Sequence, residues 1–164
     1  MNAQMPHTGA EMRRELPSGA RAFTLLLAAG VYVILSGIVF LSPLVLNSTA
    51  KQNDVYMSNY FIAPLIIILG VICLLLGSIG LWRAVSSGRA WGIGRRSVII
   101  AALGAVVMLA LYLAFGGHYS NAYGVISWPP YMNGASLVIM LVVGVLVLVA
   151  IRFWTPTLSE KRKV

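Results

Sequence analysis

The sequence predicts an all-α integral membrane protein with four transmembrane helices and both termini on the cytoplasmic side. Three observations carry that expectation. Of the 164 residues, 59% are hydrophobic and 10% charged, where a soluble domain has about 25% charged residues. The apolar residues collect in four runs, each near the roughly 20 residues that span a bilayer core as a helix. Arginine and lysine collect on alternate connections between those runs, as they do in proteins oriented by the charge of their short loops.

The four runs are Ala22–Leu46, Tyr60–Trp82, Val98–Gly116 and Ala135–Trp154. They are apolar on all sides, so periodicity does not separate helix from strand. Length does: a membrane strand needs about 9–11 residues of alternating character. In lipid every backbone N–H and C=O must find its partner within the protein, and a single long run achieves this as a helix.

Each boundary has a local reason. Residues 1–21 are polar and carry Pro6, Gly9, Pro17 and Gly19, which make a cytoplasmic tail with at most a helical turn near Glu11–Leu16. The first run ends near Pro43, where proline kinks or stops a helix. In the second, Pro64 falls in the first turn, where a missing N–H is harmless. The third run is the shortest of the four. The fourth ends before Thr155-Pro156, and residues 155–164 form a basic cytoplasmic tail. Small residues follow the first run at Ser48-Thr49-Ala50, but that run is longer than the about 7–15 residues of a signal-peptide core. It is expected to remain as a span, so residues 22–154 make one membrane domain.

Orientation follows from the basic residues. Arg13, Arg14 and Arg21 precede the first span. Arg83, Arg89, Arg95 and Arg96 lie between the second and third, and Arg152, Lys161, Arg162 and Lys163 end the chain. Lys51 alone lies on the other side. The expected location is the cell membrane, multi-pass, with the 83–97 loop facing the cytoplasm. The net charge of +8 is thereby read as orientation. No basic segment is long enough for a nucleic-acid surface, so nucleic acid is not an expected partner.

The spans offer little chemistry. None holds Asp, Glu or Lys, and Arg152 sits at the inner end of the fourth. Ion-coupled transport generally needs an ionisable group at membrane depth. The histidines are His7 and His118 and the one cysteine is Cys73, so no set of metal ligands, pair of haem ligands or catalytic triad can be assembled. No catalytic residue and no metal site is expected, and any enzymatic role of the chain by itself is doubtful.

Four features remain as candidate sites. The outer loop 116–134 carries His118, Tyr119, Tyr123, Trp128 and Tyr131. Tyrosine and tryptophan settle at the headgroup level, so the plain reading is an aromatic belt. A docking lip for another subunit is a second reading, and a quinone or lipid pocket using His118 and a tyrosine hydroxyl is a third. Arg83, Arg89, Arg95 and Arg96 suit anionic lipid on the inner side. Asn47-Ser48-Thr49 is a glycosylation sequon close to the membrane. Small residues, notably Gly30, Gly37, Cys73, Gly77, Ala101 and Ala105, make faces on which helix backbones approach closely. The fourth run, rich in Val, Leu and Ile, is expected to face lipid or a large apolar partner.

These exclusions leave an expectation of function. The chain reads as a non-catalytic accessory or structural subunit of a larger membrane complex, with respiratory or other energy-transducing assemblies the first to consider. The alternatives are a small oligomeric transporter or channel for a neutral solute, and a quinone- or lipid-binding membrane protein. Membrane lipids and other integral membrane subunits are the expected partners. The chain alone is expected to hold no cofactor other than a quinone or lipid.

Overall fold

The computed structural model describes residues 18–46, 54–115, 119–121, 124–126 and 134–154. Four helices are long and apolar enough to cross a membrane: α1 (Ser18–Leu46), α2 (Asp54–Ala84), α3 (Ser87–Phe115) and α4 (Gly134–Trp154). Between α3 and α4 lies a short antiparallel ladder, β1 (Tyr119–Asn121) with β2 (Gly124–Ile126), in which Tyr119 pairs with Ile126 and Asn121 with Gly124. The fold class is therefore the expected one, with a small hairpin added where the sequence suggested only a loop.

Three helix starts need correction, the first being that α1 begins at Ser18 rather than Ala22, so the last residues of the expected 1–21 tail are helical. α3 begins at Ser87 rather than Val98, so most of the 83–97 segment is helix and not loop. With 29 residues α3 is also longer than α4, which has 21 and is the shortest of the four. Hydropathy marks where a helix meets hydrocarbon, not where it starts, and charged turns continue it into the headgroup layer. The connection to α2 is just Val85-Ser86. It is closed by hydrogen bonds from Val85 N–H to Leu81 O (3.2 Å) and from Arg89 and Ala90 N–H to Ser86 O (3.0 and 2.9 Å). α2 in turn starts at Asp54, so Pro64 lies well inside it and not in its first turn. Its missing N–H leaves one carbonyl of the preceding turn without its usual donor, and the helix runs on regardless. α1 likewise continues through Pro43 to Leu46.

α1 is the hub. It packs most extensively on α2, then on α3 and α4, whereas among the described residues the backbones of α2 and α4 do not come close to each other. The α1–α2 contact is antiparallel and built on glycine. A side chain at Gly30 would meet Leu74 N at 2.5 Å and Gly70 O at 2.7 Å. At Gly37 it would meet Ile67 Cγ1 at 2.5 Å, and at Gly77 the backbone of Leu27 and Phe23. Gly80 lies against the Phe23 ring. Gly30 and Gly37 stand seven apart on α1, and Gly70 and Gly77 seven apart on α2, so each pair returns to nearly the same face after two turns. Lipid supplies no hydrophobic force between helices, and close backbone contact replaces it with dispersion.

On the other side of α1, larger residues fill the space. Ala28, Tyr32 and Phe40 of α1 cluster with Ala101, Ala105, Met108 and Tyr112 of α3 and with Met140, Val143, Val147 and Ile151 of α4. Phe40 and Tyr112 meet edge to face at 5.7 Å, a favoured geometry for aromatic pairs. A second cluster, Ala20, Leu27, Leu81, Ala90 and Ile93, ties α1, α2 and α3 together near the 83–97 segment.

Not every glycine is a contact. A side chain at Gly88 or Gly92 would meet nothing within 4 Å. Gly92→Ala should therefore leave packing intact and stabilise α3 by about 0.5–1 kcal/mol, the ordinary gain of alanine over glycine in a helix. Thermal unfolding in detergent checks this; a drop in Tm would mean that Gly92 has a contact of its own.

Candidate functional site

The outward surface of the bundle is apolar along its middle. α2 exposes Phe61, Leu65, Leu69, Ile72, Leu76 and Ile79, and α4 exposes Val138, Leu141, Val142, Val145, Leu146 and Val149. Such continuous apolar faces suit lipid tails or apolar helices and no aqueous surface.

Among the described residues, several hydroxyls along the helices are turned inward and engaged. Thr24 Oγ1 donates to Ala20 O (2.7 Å), Ser36 Oγ to Tyr32 O (2.8 Å), Ser78 Oγ to Leu74 O (2.7 Å) and Ser97 Oγ to Ile93 O (3.0 Å). Each hydroxyl bonds to the carbonyl one turn back, the usual solution for Ser and Thr in a helix. Tyr32 does more: its hydroxyl crosses to α4 and donates to Met140 O at 2.8 Å. Tyr112 of α3 and Ser136 of α4 are buried as well. Among the described residues no buried side-chain polar atom lacks a partner.

The geometry explains why Tyr32 fits. Its ring lies between two glycines on different helices. A side chain at Gly144 of α4 would come within 3.0 Å of Tyr32 Cε1, and one at Gly104 of α3 within 3.7 Å of Cδ2 while striking Val147. Sequence reasoning passed over Tyr32, Tyr112 and Ser136. The available signal was a tyrosine in the middle of an apolar run, away from the headgroup level where tyrosine normally sits.

The residues singled out from the sequence fall into three groups. Arg83 closes α2, and Arg89, Arg95 and Arg96 lie in the early turns of α3; all four are exposed. Gly30, Gly37 and Gly77 lie in the α1–α2 contact. Ala101 and Ala105 are buried in the α1–α3–α4 cluster, and Cys73 is half-buried with a free thiol. His118, Tyr123, Trp128, Tyr131 and Asn47 lie outside the described residues, and of Tyr119 the structure describes only its place in β1. The structure thus brings the packing residues together and the arginines to one end. Among the described residues no three of His, Cys, Asp and Glu come close enough to hold a metal ion.

Four apolar helices of spanning length, with their polar groups bonded internally, define a multi-pass membrane protein. No protein-family model, no curated protein and no solved structure matches the chain.

Proposed function

We propose that the chain is a non-catalytic structural subunit of a larger membrane assembly, with its termini and the α2–α3 turn on the cytoplasmic side of the cell membrane. One observation supports this most: among the described residues, hydroxyls along the helices bond within the bundle, while the outward faces of α2 and α4 are rich in Val, Leu, Ile and Phe. A solute path needs polar groups facing a common lumen, and a reaction site needs groups free to act. A packing subunit needs neither. It needs a rigid body and broad apolar faces on which other helices seat by close contact.

The test is purification in a mild neutral detergent, native electrophoresis and mass spectrometry of the excised band. A stoichiometric membrane partner is expected, and deletion of this chain should lower the partner's yield. Migration as a free monomer, or solute flux from liposomes holding the chain alone, would overturn the proposal. For orientation, reporters active only in the cytoplasm should be active when fused to either terminus. Activity at one terminus only would contradict an even number of spans.

A further inference from the structure

The helix contacts allow depth to be compared between elements. Leu27 of α1, Leu81 of α2 and Gly94 of α3 meet at one level, since a side chain at Gly94 would touch Leu27 Cδ2 at 3.5 Å and Leu81 Cδ2 at 3.8 Å. Arg83 lies two residues from Leu81, and Arg95 and Arg96 one and two residues from Gly94. At 1.5 Å per residue these three cations fall in one band about 6 Å deep. Arg21 is six residues before Leu27, and Arg89 five residues before Gly94. Both helices run in the same direction here, so these two share a second level about 8 Å further out. Trp82 neighbours the first level and Trp91 the second, and both are exposed.

The first level coincides with the edge of the apolar surface. Trp82 ends the apolar run of α2, and Val98 begins that of α3. Arginines at a hydrocarbon edge extend their stems along the helix and carry the guanidinium to the headgroup layer. The charge needs an anion there. Among the described residues the one carboxylate is Asp54, which begins α2 at its opposite end. Phosphodiester groups lie at the required depth, and guanidinium binds phosphate with paired, charge-assisted hydrogen bonds.

We infer that this end of the bundle is a two-level collar for anionic phospholipid headgroups. Arg83, Arg95 and Arg96 hold phosphates at the hydrocarbon edge, and Arg21 and Arg89 strengthen the field one layer out. The inference rests on the membrane reading and is independent of whether the chain joins a larger assembly. It specifies which arginines act together, because α3 carries its cations as a helix packed on α1 and α2.

The test uses the full-length protein extracted from vesicles of equal phosphatidylglycerol and phosphatidylcholine, with retained lipids identified by native mass spectrometry. Phosphatidylglycerol should be retained preferentially. The triple variant Arg83→Gln, Arg95→Gln, Arg96→Gln should weaken its binding about a hundredfold, and the double variant Arg21→Gln, Arg89→Gln about thirtyfold, from the usual contribution of each basic residue at an anionic surface. The three corresponding Lys replacements should keep most of the binding. Equal retention of the two lipids by the wild-type protein overturns the inference and requires no variant. Unchanged binding in a triple Gln variant of normal helicity overturns it too, as does displacement of the lipid by millimolar inorganic phosphate.

Discussion

Gly30→Leu is expected to unfasten α1 from α2 and to destabilise the bundle by about 3 kcal/mol or more, in the upper range for overpacking. The reason is what surrounds the position. The atoms nearest a new Cβ are Leu74 N at 2.5 Å, Gly70 O at 2.7 Å and Leu74 Cα at 2.8 Å. All belong to backbone, so no side-chain rotation can make room, and the helices themselves must separate. Separation also undoes the neighbouring contacts at Gly37 and Gly77, because all three lie along one seam. Even Gly30→Ala should be clearly destabilising, the opposite of the small gain expected at Gly92. Denaturant-induced unfolding in mixed micelles, followed by tryptophan fluorescence, measures both. Equal stabilities for Gly30→Leu and wild type would show that the seam is not closed in the membrane.

Tyr32→Ala is the second large effect, at about 3–5 kcal/mol, the cost of removing a large buried aromatic. The ring is 3% exposed and occupies the space that Gly104 and Gly144 leave open, so its loss creates a cavity bounded by three helices. Tyr32→Phe separates the ring from the hydroxyl. It should cost about 0.6–1.7 kcal/mol, from the measured average to the measured maximum for interhelical hydrogen bonds in membranes, since Met140 O loses the donor at 2.8 Å. The packing partner can be tested by a double-mutant cycle with Gly144→Ala. Alone, that change presses on the Tyr32 ring; in the Tyr32→Ala background it fills part of the cavity. The two changes should therefore be non-additive by about 0.5–3 kcal/mol. Additivity would place Tyr32 and Gly144 out of contact.

The span count was legible because lipid imposes a simple rule. A run such as Tyr60–Trp82, too apolar for water and too long for a membrane strand, has one viable conformation. The small residues were legible as a class for a related reason, since close packing replaces the hydrophobic effect inside a bilayer. Their assignment was not legible. Gly30, Gly77 and Gly92 are alike in sequence. The first two lie on a helix seam and the third faces open space, a difference set by helix rotation that a uniformly apolar run does not encode. The start of α3 was missed because hydropathy reports solvent and not hydrogen bonding. The helix forms from Ser87 since its first turn is held by Ser86 O and its next turns pack through Ala90 and Ile93.

The opening expectation therefore divides cleanly. The sequence by itself determined four spans, because burying a peptide group in hydrocarbon without a partner is prohibitive and only a helix satisfies a single run locally. It also placed the basic residues on alternate connections, since charge position is a property of the chain. Only the tertiary structure decided that α1 is the hub, that Tyr32 links it to α4, and that the arginines of α2 and α3 share one level. Those facts depend on rotation and register between helices. Rotation and register are chosen by contacts between residues far apart in sequence, at Gly30 with Gly70 and Tyr32 with Met140, and no local pattern carries them.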